Sequence, residues 1–318
     1  MIFAVSNRLP APAIELLRAA GEVRIDERER AIPRADLLAL VAGAEAILTL
    51  LHDRVDEELL ATAGPQLRCV ANVAVGYDNV DVAAAERHGV VVTNTPGVLD
   101  DATADLTMAL ILAATRRLVE GDRLVRSGQP WSWGMGFMLG NSLQGKRLGI
   151  VGLGGIGTRV AERARAFGME IAYHSRHPSP AAAELGAERL SLAELLAGSD
   201  VVSLHCPLTP ETHHLIGAEQ LAAMKPSAVL VNAARGPIVD ERALARALAE
   251  RQIAAAGLDV FEREPEVEDG LLLLENAVLT PHLGSATVET RTAMAELAAR
   301  NAISVLRGQG PLTPVTPQ

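Results

Sequence analysis

The chain has 318 residues and a formal net charge of −10 at pH 7, and 49% of its residues are hydrophobic but only 3% aromatic. That length predicts about two domains, while the negative charge and the lack of Lys/Arg blocks argue against nucleic acid and anionic membranes as partners. Because the chain shows no signal peptide, no run of about 18 apolar residues and only two cysteines, Cys69 and Cys206, we expect a cytoplasmic protein with buried free thiols.

The first hundred residues alternate short apolar segments with amphipathic ones, a pattern that predicts a parallel sheet covered on both faces. The predicted strands are Ile2–Val5, Glu22–Ile25, Ala46–Leu50, Leu67–Val73 and Val90–Asn94. The predicted helices between them are Pro12–Ala20, Arg34–Val41, Asp56–Ala63 and Val82–His88.

A long helical segment, Asp101–Ser127, follows the break at Pro96 and Gly97. Residues 129–141 come next and contain both tryptophans and Phe137, outside either predicted sheet. Such a concentration of aromatic residues suggests a dimer contact or a wall of the substrate cleft, and local packing of these side chains on one another is the alternative.

A second alternating series predicts six strands, which after a glycine-rich first turn are typical of a full doubly wound dinucleotide domain. They are Leu148–Gly152, Glu170–His174, Val201–His205, Ala228–Asn232, Ala254–Val260 and Ala277–Thr280. A second long helix, Ala286–Arg307, is expected to return to the first domain and make it discontinuous. Residues 308–318 are expected to form an unstructured or extended tail.

Three glycines have the spacing G-x-G-x-x-G between the first strand of this series and a helical pattern at Thr158–Phe167. Gly152 permits a tight turn, Gly154 lets the backbone approach a pyrophosphate, and Gly157 lets the helix pack close to the strand. The order of strand, turn and helix therefore predicts a dinucleotide site.

The end of the next strand indicates which dinucleotide is preferred. An Asp or Glu about 20 residues after the glycines would bind the ribose 2′-hydroxyl of NAD, but His174, Ser175, Arg176 and His177 occupy this place. A guanidinium with a neighbouring hydroxyl suits a 2′-phosphate. The sequence thus predicts NADP(H) as the preferred cofactor and NAD(H) as a weaker alternative, unless Arg176 is simply a solvated loop residue.

Four charged residues lie at or between the ends of the later strands, where open α/β sheets bind ligands. We expect Arg235 to hold a substrate carboxylate and His282 to act as a general acid–base. Glu264 would pair with His282 and favour imidazolium, and Asp259 would meet the nicotinamide end of the cofactor. This set suits carbonyl reduction, which needs a hydride from the cofactor and a proton from a side chain.

Each of these residues also has an ordinary interpretation. Arg235 could be a surface residue, His282 a satisfied histidine, and Asp259 a cap of the following turn. Glu262 and Glu266 are expected to be no more than part of a solvated acidic loop.

Six segments resemble the D-isomer-specific 2-hydroxyacid dehydrogenase family, and within it an NADPH-dependent subgroup that reduces glyoxylate and hydroxypyruvate. They are Ala71–Asp81, Asn94–Leu112, Leu148–Gly157, Asn232–Leu244, Ala256–Pro265 and Leu279–Thr287. The similarity runs along nearly the whole chain, and a glycine fingerprint placed after a complete α/β lobe is also usual in that family.

The resemblance implies that Arg235, Glu264 and His282 are the catalytic trio. Together with the residues above, the expected cofactor-binding set is Gly152, Gly154, Gly155, Ile156, Gly157, His174, Ser175, Arg176, Cys206, Pro207, Thr212, Ala233, Ala234, Asp259 and Gly284. The expected substrate-binding set is Leu51, Val75, Gly76, Arg235, His282 and Ser285, with the backbone amides of Val75 and Gly76 on the substrate carboxylate. Gly155 stands where relatives often have Arg, a difference expected to remove one phosphate contact.

The expected fold class is α/β, with two doubly wound parallel-sheet domains. A Rossmann-type NADP-binding domain, residues 98–285, is inserted in a discontinuous flavodoxin-like substrate domain, residues 1–97 and 286–318. The resemblance further implies a homodimer formed through the cofactor domain, with a dimerisation segment near residues 100–145.

The expected function is NADPH-dependent reduction of small 2-oxo acids, glyoxylate to glycolate and hydroxypyruvate to D-glycerate. The alternatives are a reductase of larger acids such as 2-ketogluconate or aryl pyruvates, a D-3-phosphoglycerate dehydrogenase, and a non-catalytic cofactor-sensing scaffold. His205, His213 and His214 raise the possibility of a metal site, but no ligand-spacing motif supports one, so no metal is expected.

Overall fold

The computed structural model describes residues 1–315, and the chain divides into two compact units. The first contains Met1–Leu99 and the described part of Ser285–Gln318, and the second is Asp100–Gly284. Both are built on parallel sheets with connecting helices, which confirms the predicted fold class.

In the described part of the first unit, five parallel strands lie in the order β2-β1-β3-β4-β5, which is the flavodoxin-like order. The strands are β1 (Ile2–Val5), β2 (Glu22–Ile25), β3 (Ala46–Thr49), β4 (Cys69–Asn72) and β5 (Val91–Thr93). The helices between them are α1 (Ala11–Ala20), α2 (Arg34–Val41), α3 (Glu57–Ala63) and α4 (Val82–Arg87). Every residue of β3 and β4 is buried, because helices cover both faces of the sheet.

Residues 100–284, all described, form a seven-stranded parallel sheet in the order β12-β11-β10-β9-β6-β7-β8. The strands are β6 (Arg147–Val151), β7 (Glu170–His174), β8 (Glu188–Arg189), β9 (Val201–Leu204), β10 (Val229–Asn232), β11 (Ala255–Leu258) and β12 (Ala277–Leu279). The helices are α5 (Asp100–Thr115), α6 (Leu118–Arg126), α7 (Gly155–Ala166), α8 (Ala182–Leu185), α9 (Leu192–Gly198), α10 (Ala218–Ala222), α11 (Glu241–Ala249) and α12 (Asp269–Leu272). The order is that of a doubly wound dinucleotide domain with one further strand, β12.

Two predictions for this unit are wrong in detail. The sheet has seven strands rather than the six predicted, because the prediction missed β8, an edge strand of two exposed residues. The single helix predicted over 101–127 is two helices, because Arg117 adopts a left-handed conformation with φ of 54° and ends the helical path between α5 and α6.

The last helix, α13 (Val288–Leu306), belongs to the first unit and packs against α1, β3 and β4. After it the chain turns through Gly308 and Gly310, which both have positive φ, and then runs beside β5 up to residue 315. The amide of Val315 donates to the carbonyl of Val92 at 2.9 Å, and Pro314 forms an antiparallel bridge with Thr93. Residues 316–318, which the predicted tail includes, lie outside the described residues.

Within residues 1–315, no helix is both long and apolar enough to cross a membrane.

Candidate active site

The glycine loop lies between the end of β6 and the start of α7. Gly152 has a φ of 96°, and a Cβ atom at this position would lie 2.7 Å from the amide nitrogen of Cys206. A Cβ on Gly157 would overlap the carbonyl oxygen of Gly152, whereas one on Gly154 would meet no described atom within 4 Å. The loop is therefore tightly packed at Gly152 and Gly157, and the space beside Gly154 is open. The first N–H groups of α7 lie next to this space. These residues fit a dinucleotide pyrophosphate.

A basic segment follows β7, the strand next to the glycine loop. Arg176 is exposed, and its charge lies close enough to Cys206 to oppose the burial that raises the pKa of that thiol to about 11. His174 is engaged through Nδ1 with the carbonyl of Leu190 at 3.0 Å, so its ring supports the strand end.

Arg189, on the edge strand β8, is a residue of this region that the sequence did not indicate. Its guanidinium donates to the carbonyls of Ser175 and Arg176 at 3.0 and 2.9 Å. The hydroxyl of Ser175 donates to the carbonyl of His177 at 2.9 Å. Arg189 thereby shapes the loop that is predicted to take the 2′-phosphate.

The ends of β9 and β10 carry the next group of predicted cofactor residues. The hydroxyl of Thr212 donates to the carbonyl of Pro207 at 2.7 Å, which closes the loop after β9. Ala233 and Ala234 follow β10, and the amide of Ala234 donates to the side chain of Asn232 at 3.1 Å. The sheet order places these loops beside the glycine loop, at the same edge of the sheet.

The turn that carries Arg235 is fixed from two sides. The buried side chain of Asn232 donates to the carbonyl of Arg235 at 2.9 Å. A Cβ atom on Gly236 would overlap the backbone of Phe261 and Glu262, so only glycine allows this close approach. The Arg235 turn therefore lies directly against the segment that leads to Glu264.

His282 and Glu264 form a hydrogen-bonded pair, with 2.8 Å between Nδ1 and Oε2. Oε1 of Glu264 accepts from the amide of Phe261 at 3.0 Å, so both carboxylate oxygens are oriented. The two side chains are 24% and 29% exposed, so a small molecule can reach them. Nδ1 is thus engaged, and Nε2 is the nitrogen that the predicted acid–base role would use.

The pKa of Glu264 is lowered overall. Burial of the carboxyl acts to raise its pKa, but the hydrogen bond and charge of His282, the amide of Phe261 and the charge of Arg235 together outweigh this effect. The carboxylate therefore stays ionised at neutral pH, with its charge beside the ring of His282.

Asp259 holds the turn that presents His282. Its buried carboxylate accepts from the hydroxyl of Thr280 at 2.6 Å and from the amides of Leu283 and Gly284 at 2.7 and 2.8 Å. Its carbonyl accepts from the amide of His282 at 2.8 Å, while His282 adopts a left-handed φ of 54°. Asp259 therefore holds the turn after β12 rather than capping the turn that directly follows β11, and its role at the nicotinamide end of the cofactor stays a prediction.

Four predicted substrate-binding residues belong to the first unit rather than to the second. They are Leu51, Val75, Gly76 and Ser285. Val75 and Gly76 follow β4, and their carbonyls accept from the side chains of Asn94 and Asn72 at 2.8 and 2.9 Å. These bonds give the loop a defined backbone, and the roles of the four residues stay predictions.

Three other histidines of the second unit, His205, His213 and His214, take part in local contacts. Burial lowers the pKa of His205 to about 4, and its Nε2 lies 2.8 Å from the hydroxyl of Ser203. His214 pairs with Glu262 at 3.1 Å, so Glu262 is more than a solvated residue. Among the described residues, no three His, Cys, Asp or Glu side chains lie together in a way that could hold a metal ion.

Comparison with known proteins identifies the family. Residues 108–284 match the model of the D-isomer specific 2-hydroxyacid dehydrogenase NAD binding domain. The chain is 51% identical over 315 residues to the glyoxylate reductase of Pyrococcus furiosus, covering 97% of this chain and 93% of that one. It is 52% identical over 313 residues to the glyoxylate reductase of Aeropyrum pernix, covering 96% and 93% of the two chains.

Solved structures give the same result. A protein from Thermus thermophilus superposes with a TM-score of 0.93 at 48% identity, covering 99% of this chain and 100% of that one. The NADPH-dependent glyoxylate/hydroxypyruvate reductase of Sinorhizobium meliloti, solved with NADP and malonate, has a TM-score of 0.86 at 36% identity and coverage of 99% and 96%. The chain belongs to the D-isomer specific 2-hydroxyacid dehydrogenase family, and is therefore an oxidoreductase with a nicotinamide-dinucleotide-binding domain.

Proposed function

We propose that this protein reduces glyoxylate to glycolate and hydroxypyruvate to D-glycerate, with NADPH as its preferred hydride donor. The observation that carries the proposal is the oriented pair of His282 and Glu264 beside the Arg235 turn, in the same unit as the glycine loop. The similar proteins support glyoxylate as a substrate, because glyoxylate reductases are about 50% identical to this chain over nearly its full length.

Arg235, His282 and Glu264 each have one role in carbonyl reduction. Arg235 binds the substrate carboxylate with its planar, permanently charged guanidinium. When bound, NADPH supplies a hydride to the carbonyl carbon. His282 donates a proton from Nε2 to the carbonyl oxygen, which yields the 2-hydroxy acid, and Glu264 stabilises the imidazolium before this transfer. We propose that Leu51, Val75, Gly76 and Ser285 also bind the substrate, and that the second unit binds the cofactor.

The preference for NADPH rests on Ser175 and Arg176 at the end of β7. No carboxylate occupies this strand end, and the exposed guanidinium of Arg176 with the neighbouring hydroxyl suits a 2′-phosphate. The NADPH-dependent enzyme of S. meliloti, which shares the fold and 36% of its residues, supports the same preference.

We also propose that the protein is a homodimer that works in the cytoplasm. None of residues 118–126 in α6 is buried, and the following loop exposes Trp131, Trp133, Met135 and Leu139. An apolar surface of this extent is typical of a subunit interface. Cys69 and Cys206 are free thiols, which suits a reducing compartment.

The test is steady-state oxidation of NADPH and of NADH against glyoxylate, hydroxypyruvate, pyruvate, phenylpyruvate and 2-ketogluconate. We expect the two smallest polar acids with NADPH to give the highest kcat/KM. Preference for a bulkier acid would keep the chemistry but change the substrate. Tight NADPH binding without turnover on any acid would contradict the proposed function and favour a cofactor-sensing scaffold.

A further inference from the structure

A carboxyl group lies against the first residue of α7, where the dinucleotide pyrophosphate is expected. Asp100 begins α5, and Gly155 begins α7. A Cβ atom built on Gly155 would overlap Oδ2 of Asp100 and lie 3.1 Å from its Cγ. The carboxyl therefore occupies the space that any larger residue at position 155 would fill.

The charges around Asp100 leave its carboxyl incompletely compensated. The charged groups that act on it are Arg159 of α7, which attracts it, and Asp101 of its own helix, which repels it. The guanidinium of Arg159 also forms ion pairs with two other carboxylates, Glu162 at 2.9 Å and Asp101 at 3.7 Å. Burial, with a smaller contribution from Asp101, raises the pKa of Asp100 against the influence of Arg159.

An acidic residue at the start of a helix ordinarily stabilises that helix through its dipole. Asp101 occupies the same first turn of α5, is exposed and pairs with Arg163 at 3.0 Å. Asp100 differs because its carboxyl lies against Gly155, the first residue of a second helix, α7, whose N-terminus is the expected place of the pyrophosphate. Two negative groups, the carboxylate and the pyrophosphate, then compete for the same positive helix end.

We propose that Asp100 makes cofactor binding proton-linked: the dinucleotide binds tightly when the Asp100 carboxyl is protonated and weakly when it is ionised. This inference rests on the proposed dinucleotide site. The bound pyrophosphate disfavours the ionised carboxylate, so Asp100 binds its proton more tightly in the complex than in the free protein. Affinity is then highest at low pH, falls between the pKa values of the two states, and levels off once Asp100 is ionised in both.

Isothermal titration of the full-length protein with NADH tests the proposal, because NADH carries the pyrophosphate without a titrating 2′-phosphate. Asp100→Asn removes the ionisable group and keeps the shape. Asp105→Asn is the matched control, since Asp105 is an exposed residue one turn further along α5 that pairs with Arg163. At pH 8 we expect Asp100→Asn to bind NADH about tenfold more tightly than the wild type, the change that one pKa unit represents, and Asp105→Asn to stay within about twofold.

A second measurement starts from the wild type alone. Titrations in buffers of different ionisation enthalpy, repeated over the pH interval in which the affinity falls, should show that NADH binding by the wild type takes up a fraction of a proton. Asp100→Asn should lose this uptake. Adenosine 2′-monophosphate, which has no pyrophosphate, should bind the wild type and Asp100→Asn equally.

Three results would overturn the inference. They are unchanged NADH affinity and proton uptake in Asp100→Asn, an equal gain in Asp105→Asn, and an equal gain for adenosine 2′-monophosphate. If the wild type bound neither NADH nor NADPH, the proposed function would itself be wrong and the inference would fall with it.

Discussion

At the scale of single residues, the hydrogen bond with Glu264 distinguishes the two nitrogens of His282. Nδ1 is held at 2.8 Å from the carboxylate, so the proposed proton donor is Nε2. Replacing His282 with Ala should lower kcat for glyoxylate reduction by about 10²–10⁴-fold, the usual contribution of a general acid, while NADPH still binds.

The matched control is His88→Ala, because His88 also pairs with a glutamate, Glu57, but lies on the first unit. Its kcat should stay within about twofold of the wild type. Turnover of His282→Ala close to that of the wild type would remove this residue from the acid role.

The proposed 2′-phosphate site makes Arg176 the residue that sets the preference for NADPH over NADH. Replacing it with Ala should raise the KM for NADPH by about 10–100-fold, the usual cost of losing a charge-assisted contact, and leave the KM for NADH nearly unchanged. Arg242→Ala removes an exposed arginine of α11 and should alter neither constant. Equal losses for the two cofactors in Arg176→Ala would contradict the 2′-phosphate role.

The sequence indicated these residues because each is a charged side chain at or near the end of an apolar strand. It did not indicate Arg189, because its contacts with the carbonyls of Ser175 and Arg176 depend on strand pairing at the sheet edge. Nor did it indicate that Asp100 meets Gly155, since two helix starts 55 positions apart come together only when α5 packs on α7.

At the scale of elements, the position of Arg235 depends on how closely its turn approaches the segment after β11. Gly236→Ala would force a methyl group into the backbone of Phe261 and Glu262, and should destabilise the protein by about 1–3 kcal/mol. Because the displaced turn carries Arg235, KM for glyoxylate should rise as well.

Gly198→Ala, in α9 of the same unit, is the control for this substitution, since a Cβ atom there would lie 3.6 Å from Nη1 of Arg147, an ordinary contact distance. Its thermal midpoint should not fall below that of the wild type. A Gly236→Ala variant with unchanged midpoint and KM would show that the approach of the two segments is not tight in solution.

Sequence periodicity placed most elements of the sheets, and β1, β2 and β7 begin and end where predicted. It failed at β8, because two exposed residues at a sheet edge carry no alternation of apolar and polar side chains. It also failed at Arg117. The left-handed conformation of this residue separates α5 from α6, and no glycine or proline marks the break in the sequence.

At the scale of the whole molecule, the insertion of one unit in the other follows from the chain order of the elements. The glycine loop comes after a complete five-stranded lobe within residues 1–99, and α13 packs on that lobe after β12 has ended the second sheet. The order of the elements predicts the return of this last helix, but it does not show the contact surface, which includes the buried small residues Ala295, Ala298, Ala299 and Ala302.

The exposed apolar surface of α6 and residues 131–139 supports a prediction about the assembly. Trp131 and Phe137 stack on each other with ring centroids 5.9 Å apart, but Met135 stays 82% exposed. If a second copy covers this surface, the wild type should sediment with the mass of two chains. Met135→Glu should weaken the dimer by at least about tenfold, because it buries an unpaired charge in place of an apolar side chain.

Leu273→Glu is the matched control, because Leu273 is 86% exposed in the same unit but lies after α12, outside the α6 surface. It introduces the same charge in place of an equally exposed apolar side chain, so it should leave the sedimentation of the dimer unchanged. Equal dissociation of both variants would point to a general effect of charge on association. A wild type that sediments as a single chain at micromolar concentration would contradict the homodimer and leave the exposed tryptophans as features of a monomer.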